Sequence, residues 1–542
     1  MHHPLRLPLL LALVLGLWAI PFSAFMADDF ILLGALERVT PATWSGPATL
    51  YTLADGVPEH VRAMKDVGAF PWFFEPDYQM TFLRPLSSLL LAADHALWGL
   101  RPWGYVAHSA IWYLLLVLGT GLVFRQTLPV PLQRLAGVLF AVSWVQQGLS
   151  WTATRHVTVA AALGFLSFAA WLRGWRTRRW PWVGLSLAGF AGALAGGESA
   201  LGVLGFVAAW ELLGEERPRW ARLGLLSPLL LAWLVAYGLF GYGARTSGYL
   251  DPLHQPLDFL LELPGRLLFL AGALLGGGHA DLWVLAPPLR VPLMLAGAAL
   301  VAGFAWVLRR ALPPPGTPGR RAVLAWAAGG TLALVPFAGT PIGARCLVVP
   351  MAGAAVALAA PLHAWFSRTR RGGAFGVAVV LLIAIHLGFA PLQRLGGPPL
   401  FRELMWHRVV AASETLALTE AEVRERPVVV LHAPDLFVGL HTWFYRALFH
   451  LPMPGSFWTL SFAPCEPSFT RAGPDTLLME GCPIATPAWR TDDAVDLAGL
   501  HVTILDADSH AVRAAAFRFE RPLEEILFLT WRDGALRRVA AP

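Results

Sequence analysis

The sequence predicts an all-α polytopic membrane protein of about eleven transmembrane helices, with a small α/β domain at its C-terminal end, outside the cytoplasm. Three observations carry that expectation. Apolar residues make up 56% of the 542 positions and charged residues only 14%, against about a quarter charged in soluble domains. Runs of roughly twenty apolar residues recur, the length needed to cross a hydrocarbon core. Lastly, the C-terminal region changes character and contains strand-like runs. Residues 1–391 are therefore read as the membrane domain and 392–542 as the exposed α/β domain.

The mean hydropathy is +0.56 and the pI about 9.6. This basicity does not imply nucleic-acid binding. Lys65 is the only lysine, and the arginines collect in short connectors between apolar runs, as the positive-inside rule requires of cytoplasmic loops. The connectors are "RTRR" (176–179), "ERPRWAR" (216–222), "LRRALPPPGTPGRR" (308–321) and "SRTRRGG" (367–373), with "FRQTLPVPLQR" (124–134) as a weaker member.

The first apolar run, 8–26, has the length of a retained span. A cleaved signal peptide is the alternative, but "FSAFMADDF" lacks an A-x-A site. Further spans are expected near 105–124, 133–150, 157–172, 181–196, 199–213, 223–242, 284–308, 321–338, 346–366 and 374–391. With "MHHPLR" and the arginine connectors in the cytoplasm, everything after 391 falls outside. Residues 257–277 are apolar but carry Asp258, Glu262, Pro264 and Arg266, poor material for a lipid-facing helix. They are placed as a helix lying on the outer surface or dipping into it.

The C-terminal region contains "RPVVVLHA" (426–433), "FWTLSF" (457–462), "HVTILDA" (501–507) and "EILFLTW" (525–531), with a helical "GLHTWFYRALFH" between the first two. Cys465 and Cys482 lie in this region. Their setting favours a disulfide, and two free buried thiols are the alternative. Cys346 begins a span and is read as packing.

This topology sends a large loop, 27–104, and several short turns to the outer face. The polar residues near outer helix ends are Asp28, Asp29, Arg84, Asp94, His95, His108, Arg155, His156, Glu198 and Arg345. Ionisable groups at membrane depth cost roughly 2.5–3.5 kcal/mol each on insertion scales and usually face a cavity. Arg84, Arg155 and Arg345 sit where the positive-inside rule disfavours them. A guanidinium fork there suits an anionic ligand, phosphate above all. Bland readings stand beside these. The acids could be a solvated helix end, Arg84 a snorkelling side chain, Asp94 and His95 a local pair, and Glu198 a helix cap. His108 and His156 read better as packed histidines.

"MADDF", followed by "TFLRPLSSLLLAADHALWGLRPWGYVAHSAIWYLL" (81–115), resembles the GT-C membrane glycosyltransferases, especially the dolichyl- or polyprenyl-phosphate-mannose mannosyltransferases and their bacterial relatives. "WTATRHVTVAAALGFLSFAAWLR" (151–173), "GGESALGVLGFVAAWELL" (196–213) and "GTPIGARCLVVPMAG" (339–353) are similar to later motifs of that superfamily. There are departures. Gly197 stands where many relatives carry lysine before the glutamate, Cys346 follows the late arginine where an aromatic is usual, and tetratricopeptide repeats are absent.

The resemblance implies hexose transfer from a polyprenyl-phosphate-linked donor to a hydroxyl of a glycan, lipid or protein, on the outer face of a bacterial inner membrane. Asp29 or Asp28 would be the general base. Arg345, Arg155 and, as a third, Arg84 would bind the leaving lipid phosphate, with Asp94, His95 and Glu198 in support. A divalent metal beside the acids is compatible with this scheme and not required by it. A membrane transporter or a non-catalytic envelope assembly protein is the rival reading. A transporter would need polar groups at midmembrane, and the later spans are nearly bare of them.

Overall fold

The computed structural model describes residues 4–41, 44–367, 372–414, 416, 418–462, 465–486 and 489–542. Residues 1–3 of the expected cytoplasmic N-terminus and 368–371 of the "SRTRRGG" connector lie outside the described residues. Seven helices are long and apolar enough to cross a membrane, and shorter apolar helices accompany them at Arg6–Phe22, Val130–Val142, Ala200–Gly214 and Met351–Phe366. The chain is an integral membrane protein by this measure. It divides into two compact units, one of residues 1–24, 82–243 and 248–399, the other of 25–81, 244–247 and 400–542.

The first unit is the helical bundle. The helix Thr152–Thr177 packs most extensively against Pro102–Thr127 and Trp180–Gly196. Its 26 residues span about 39 Å at 1.5 Å per residue, more than the roughly 30 Å hydrocarbon core. Arginine connectors meet beside one end of this bundle. Arg176 donates to the Gln126 carbonyl, Arg321 pairs with Glu216 at 3.4 Å and Arg222 with Glu211 at 3.3 Å. Trp171 Nε1 donates to the same Glu211 at 2.8 Å. Clustered arginines at a single end are what the positive-inside pattern demands.

Two sequence expectations change. The run 8–26 is not one helix. It is helical from Arg6 to Phe22, and Asp28 opens a separate helix, Asp28–Leu36, after Ala27 at φ 46°. The stretch 133–150 is α-helical only to Val142 and continues as 3-10 turns from Trp144 to Ser150.

The segment 257–277 is a continuous 21-residue helix, Pro256–Gly276, long and apolar enough to span and packed along Arg290–Ala311. The two approach so closely that a Cβ on Gly272 would stand 2.3 Å from the Gly297 Cα, the small-residue crossing that lets membrane helices pack. Arg266 is tolerated because its Nη1 donates to the carbonyls of Ala338 (2.9 Å) and Thr340 (3.3 Å), and its Nε to Glu262 at 3.2 Å. Charge alone was a poor guide to burial here.

The second unit is the α/β region. Its four-stranded sheet runs Ala535–Val539, Leu527–Arg532, Val428–His432, Phe457–Thr459, the last three strands parallel. An antiparallel sheet is built around Leu500–Ala507 and Ala511–Phe519. One apolar core joins Val429, Leu431 and Trp458 of the first sheet to Leu477, Val502 and Phe517 of the second. Trp72 and Phe73 belong to that core as well. Trp72 Nε1 donates to the Leu460 carbonyl at 2.9 Å, and Trp489 Nε1 to that of Phe73 at 2.6 Å. Residues 25–81 of the first loop thus fold with the C-terminal region. The expected boundary at 391–392 falls within a continuous helical run, Gly373–Glu414, and the compact units part at 399–400. Cys465 and Cys482 form a disulfide, and Cys346 is free and buried.

Candidate functional site

The end of the bundle away from the arginine connectors is where the stray arginines gather. Arg84 precedes Pro85 at the start of the helix Pro85–Trp98. Proline at the first helical position fixes φ and needs no amide partner, so the chain turns sharply at Arg84. Ser87 Oγ donates to the Gly196 carbonyl at 2.6 Å, joining this helix to the end of Trp180–Gly196. Glu198 sits in the break that follows, and Arg84 Nε donates to its Oε2 at 2.7 Å. Glu198 Oε1 is buried and accepts no hydrogen bond among the described residues, a half-satisfied carboxylate.

His156 adjoins this pair. A Cβ on Gly197 would stand 3.2 Å from His156 Cδ2, so the ring occupies the space a side chain there would need. Its Nδ1 donates to the Ala153 carbonyl at 2.9 Å, and the ring lies within electrostatic reach of both Arg84 and Arg345.

Arg345 sits in the 3-10 turn Ala344–Leu347. It donates to the Pro341 carbonyl at 3.3 Å and lies 5.8 Å from the Trp151 ring centre. Asp281 faces it across the turn. Burial pushes the Asp281 carboxyl above its ordinary range, and the positive Arg345 opposes that rise. Sequence reasoning missed Asp281. The signal for it was an acid set between two apolar stretches, in "GGGHADLW", the same placement that marked Glu198.

Arg155 is held elsewhere. Its Nη1 lies 2.5 Å from Asp94 Oδ2 and donates to the Tyr105 carbonyl at 3.3 Å. Asp94 Oδ1 is 2.6 Å from His108 Nδ1, while Trp112 Nε1 donates to His108 Nε2 at 2.9 Å. An indole can only donate, so His108 Nε2 carries the lone pair and Nδ1 the proton given to Asp94. Asp94 thus turns to Arg155 and His108, and His95 is half-buried near the end of the same helix.

Asp28 and Asp29 belong to the second unit and open the helix Asp28–Leu36, where the helix dipole favours negative charge. Asp29 is 2% exposed, and its Oδ2 accepts from the Met26 amide at 2.9 Å. Asp28 is half-buried. Among the described residues no three His, Cys, Asp or Glu side chains converge as metal ligands would.

No family model matches this sequence, and no curated protein does. Among solved structures the chain is similar to ArnT from Cupriavidus metallidurans bound to undecaprenyl phosphate, at 12% identity and TM-score 0.41, over 82% of this chain and 84% of that one. It is also similar to the archaeal oligosaccharyltransferase AglB from Archaeoglobus fulgidus, in complex with an inhibitory peptide and a dolichol-phosphate. That match has 12% identity and TM-score 0.39, over 83% of this chain and 64% of AglB. At TM-scores near 0.4 the shared path is partial, and these neighbours decide nothing about what this chain acts on.

Proposed function

We propose that this protein is an integral-membrane glycosyltransferase of GT-C type, moving a hexose from a polyprenyl-phosphate-linked donor to a hydroxyl acceptor on the outer face of a bacterial inner membrane. The observation that carries the reading is the grouping of Arg84, Glu198, His156, Arg345 and Asp281 at one end of a largely apolar bundle. Charged groups there are expensive unless they meet a polar ligand. Two guanidinium groups suit the phosphate of a lipid whose tail lies among apolar helices.

In this scheme Arg84 and Arg345 stabilise charge building on the departing lipid phosphate. Asp29, with Asp28 beside it, takes the proton from the acceptor hydroxyl as oxygen attacks the anomeric carbon. The acceptor is a glycan, a lipid or a protein. Arg155 supports the bundle through Asp94 instead of meeting the phosphate.

The test is direct. The purified protein in detergent is supplied with polyprenyl-phosphate-linked sugars, and release of polyprenyl phosphate is followed. Absence of turnover with every donor, together with unchanged surface glycans in a deletion strain, would favour a transporter or an envelope assembly protein.

A further inference from the structure

We infer that Asp281 is a positioning residue for the lipid-phosphate site, holding the Gly343–Arg345 turn and so the direction of the Arg345 guanidinium. The inference rests on reading Arg345 as a phosphate ligand. Three observations motivate it. A Cβ on Gly343 would stand 2.8 Å from Asp281 Oδ1, so the carboxylate fills the space that glycine leaves open. The Ala344 backbone bonds to the same carboxylate, and Arg345 supplies its opposing charge. The carboxylate therefore lies against Gly343, bonds to Ala344 and faces the charge of Arg345. Arg345 and His279 are the charged or titratable groups facing it.

The sign of the effect separates positioning from proximity. A carboxylate merely near the phosphate repels it, so neutralising that charge would tighten phosphate binding. A carboxylate that holds Arg345 in place would weaken binding when neutralised. Asn keeps the size of Asp and one acceptor oxygen for the Ala344 amide, removes the charge and puts an NH2 donor in place of the second oxygen.

Binding of undecaprenyl phosphate to the full-length protein in detergent is measured for wild type, Asp281→Asn, Arg345→Gln and the double variant. The expected result is weakening by about tenfold in Asp281→Asn, a usual coupling for contacting residues, with no further loss when it is added to Arg345→Gln. Gly343→Ala, whose methyl displaces the carboxylate, should weaken binding similarly. Wild-type affinity should fall as pH drops and Asp281 takes a proton, a component missing from Asp281→Asn. Unchanged or tighter binding in Asp281→Asn, with Arg345→Gln still weakened, would overturn the inference alone. Unchanged binding in Arg345→Gln would overturn the phosphate reading itself.

Discussion

Asp94 and Arg155 meet at 2.5 Å with side-chain exposures of 1% and 4%, although 61 positions separate them in sequence (155 − 94). Removing one partner of such a pair strands the other charge, at a cost of about 3–5 kcal/mol. Asp94→Ala and Arg155→Ala should each lower the melting temperature in detergent. The double variant Asp94→Leu with Arg155→Met should recover much of the loss. An Arg155→Ala protein that melts like wild type would show that the pair contributes little.

The Arg84–Glu198 pair makes a different prediction, because Glu198 keeps one buried oxygen unsatisfied. Arg84→Ala and Arg345→Ala should each lower turnover by about 10²–10³-fold, the usual loss for one stabilising donor at a developing charge. Both variants should still insert. Glu198→Gln keeps the hydrogen bond and should fall between wild type and Arg84→Ala.

At Asp29 two roles can be separated. Its Oδ2 accepts from the Met26 amide, a bond that Asn reproduces, whereas Asn cannot act as a base. Asp29→Asn should therefore fold normally and lose transfer by about 10²–10⁴-fold. Transfer at wild-type rate in that variant would leave Asp29 a structural acid only.

The Cys465–Cys482 disulfide closes a loop with a sequence separation of 17 residues. Loops of about that size are worth roughly 3 kcal/mol through the unfolded state. The double substitution to serine should lower the melting temperature of the C-terminal region. Thiol titration of the unfolded wild type should count one free cysteine, Cys346.

His441 gives the C-terminal region an acid sensitivity. Burial pushes its pKa down to about 4, against the partial opposing effects of the Phe437 carbonyl and Asp435. An unfolded histidine titrates near 6.5, so the unfolded state binds the extra proton between those values. Stability should fall as pH drops from about 6.5 to 4, by on the order of 3 kcal/mol, and then level off. Hydrogen exchange of the helix Leu436–Leu448 checks this, and His441→Phe should flatten the slope.

Much of the helical architecture was legible because apolar runs of bilayer length leave the backbone few options. The strands at Val428–His432, Leu500–Ala507 and Leu527–Arg532 were legible too, from their apolar, β-branched and aromatic content. What stayed hidden was the choice of polar partners. Arg345 has no acid beside it in sequence, and the structure supplies Asp281 from 64 positions upstream (345 − 281). Asp94 reaches His108 and Arg155 on other helices. Ion pairs between segments follow from packing, which carries no periodic signature. Residues 25–81 joined the C-terminal region for a similar reason: Trp72 and Phe73 need an apolar core, and the two sheets provide one.

Gly197 and the imidazole of His156 lie against one another. A methyl carbon added at 197 would stand 3.2 Å from the ring, so a larger residue there asks the histidine, forty-one positions earlier in the chain (197 − 156), to give way by a few tenths of an ångström. The glycine and the ring thus set each other's room, and a change at either position is felt first at the other.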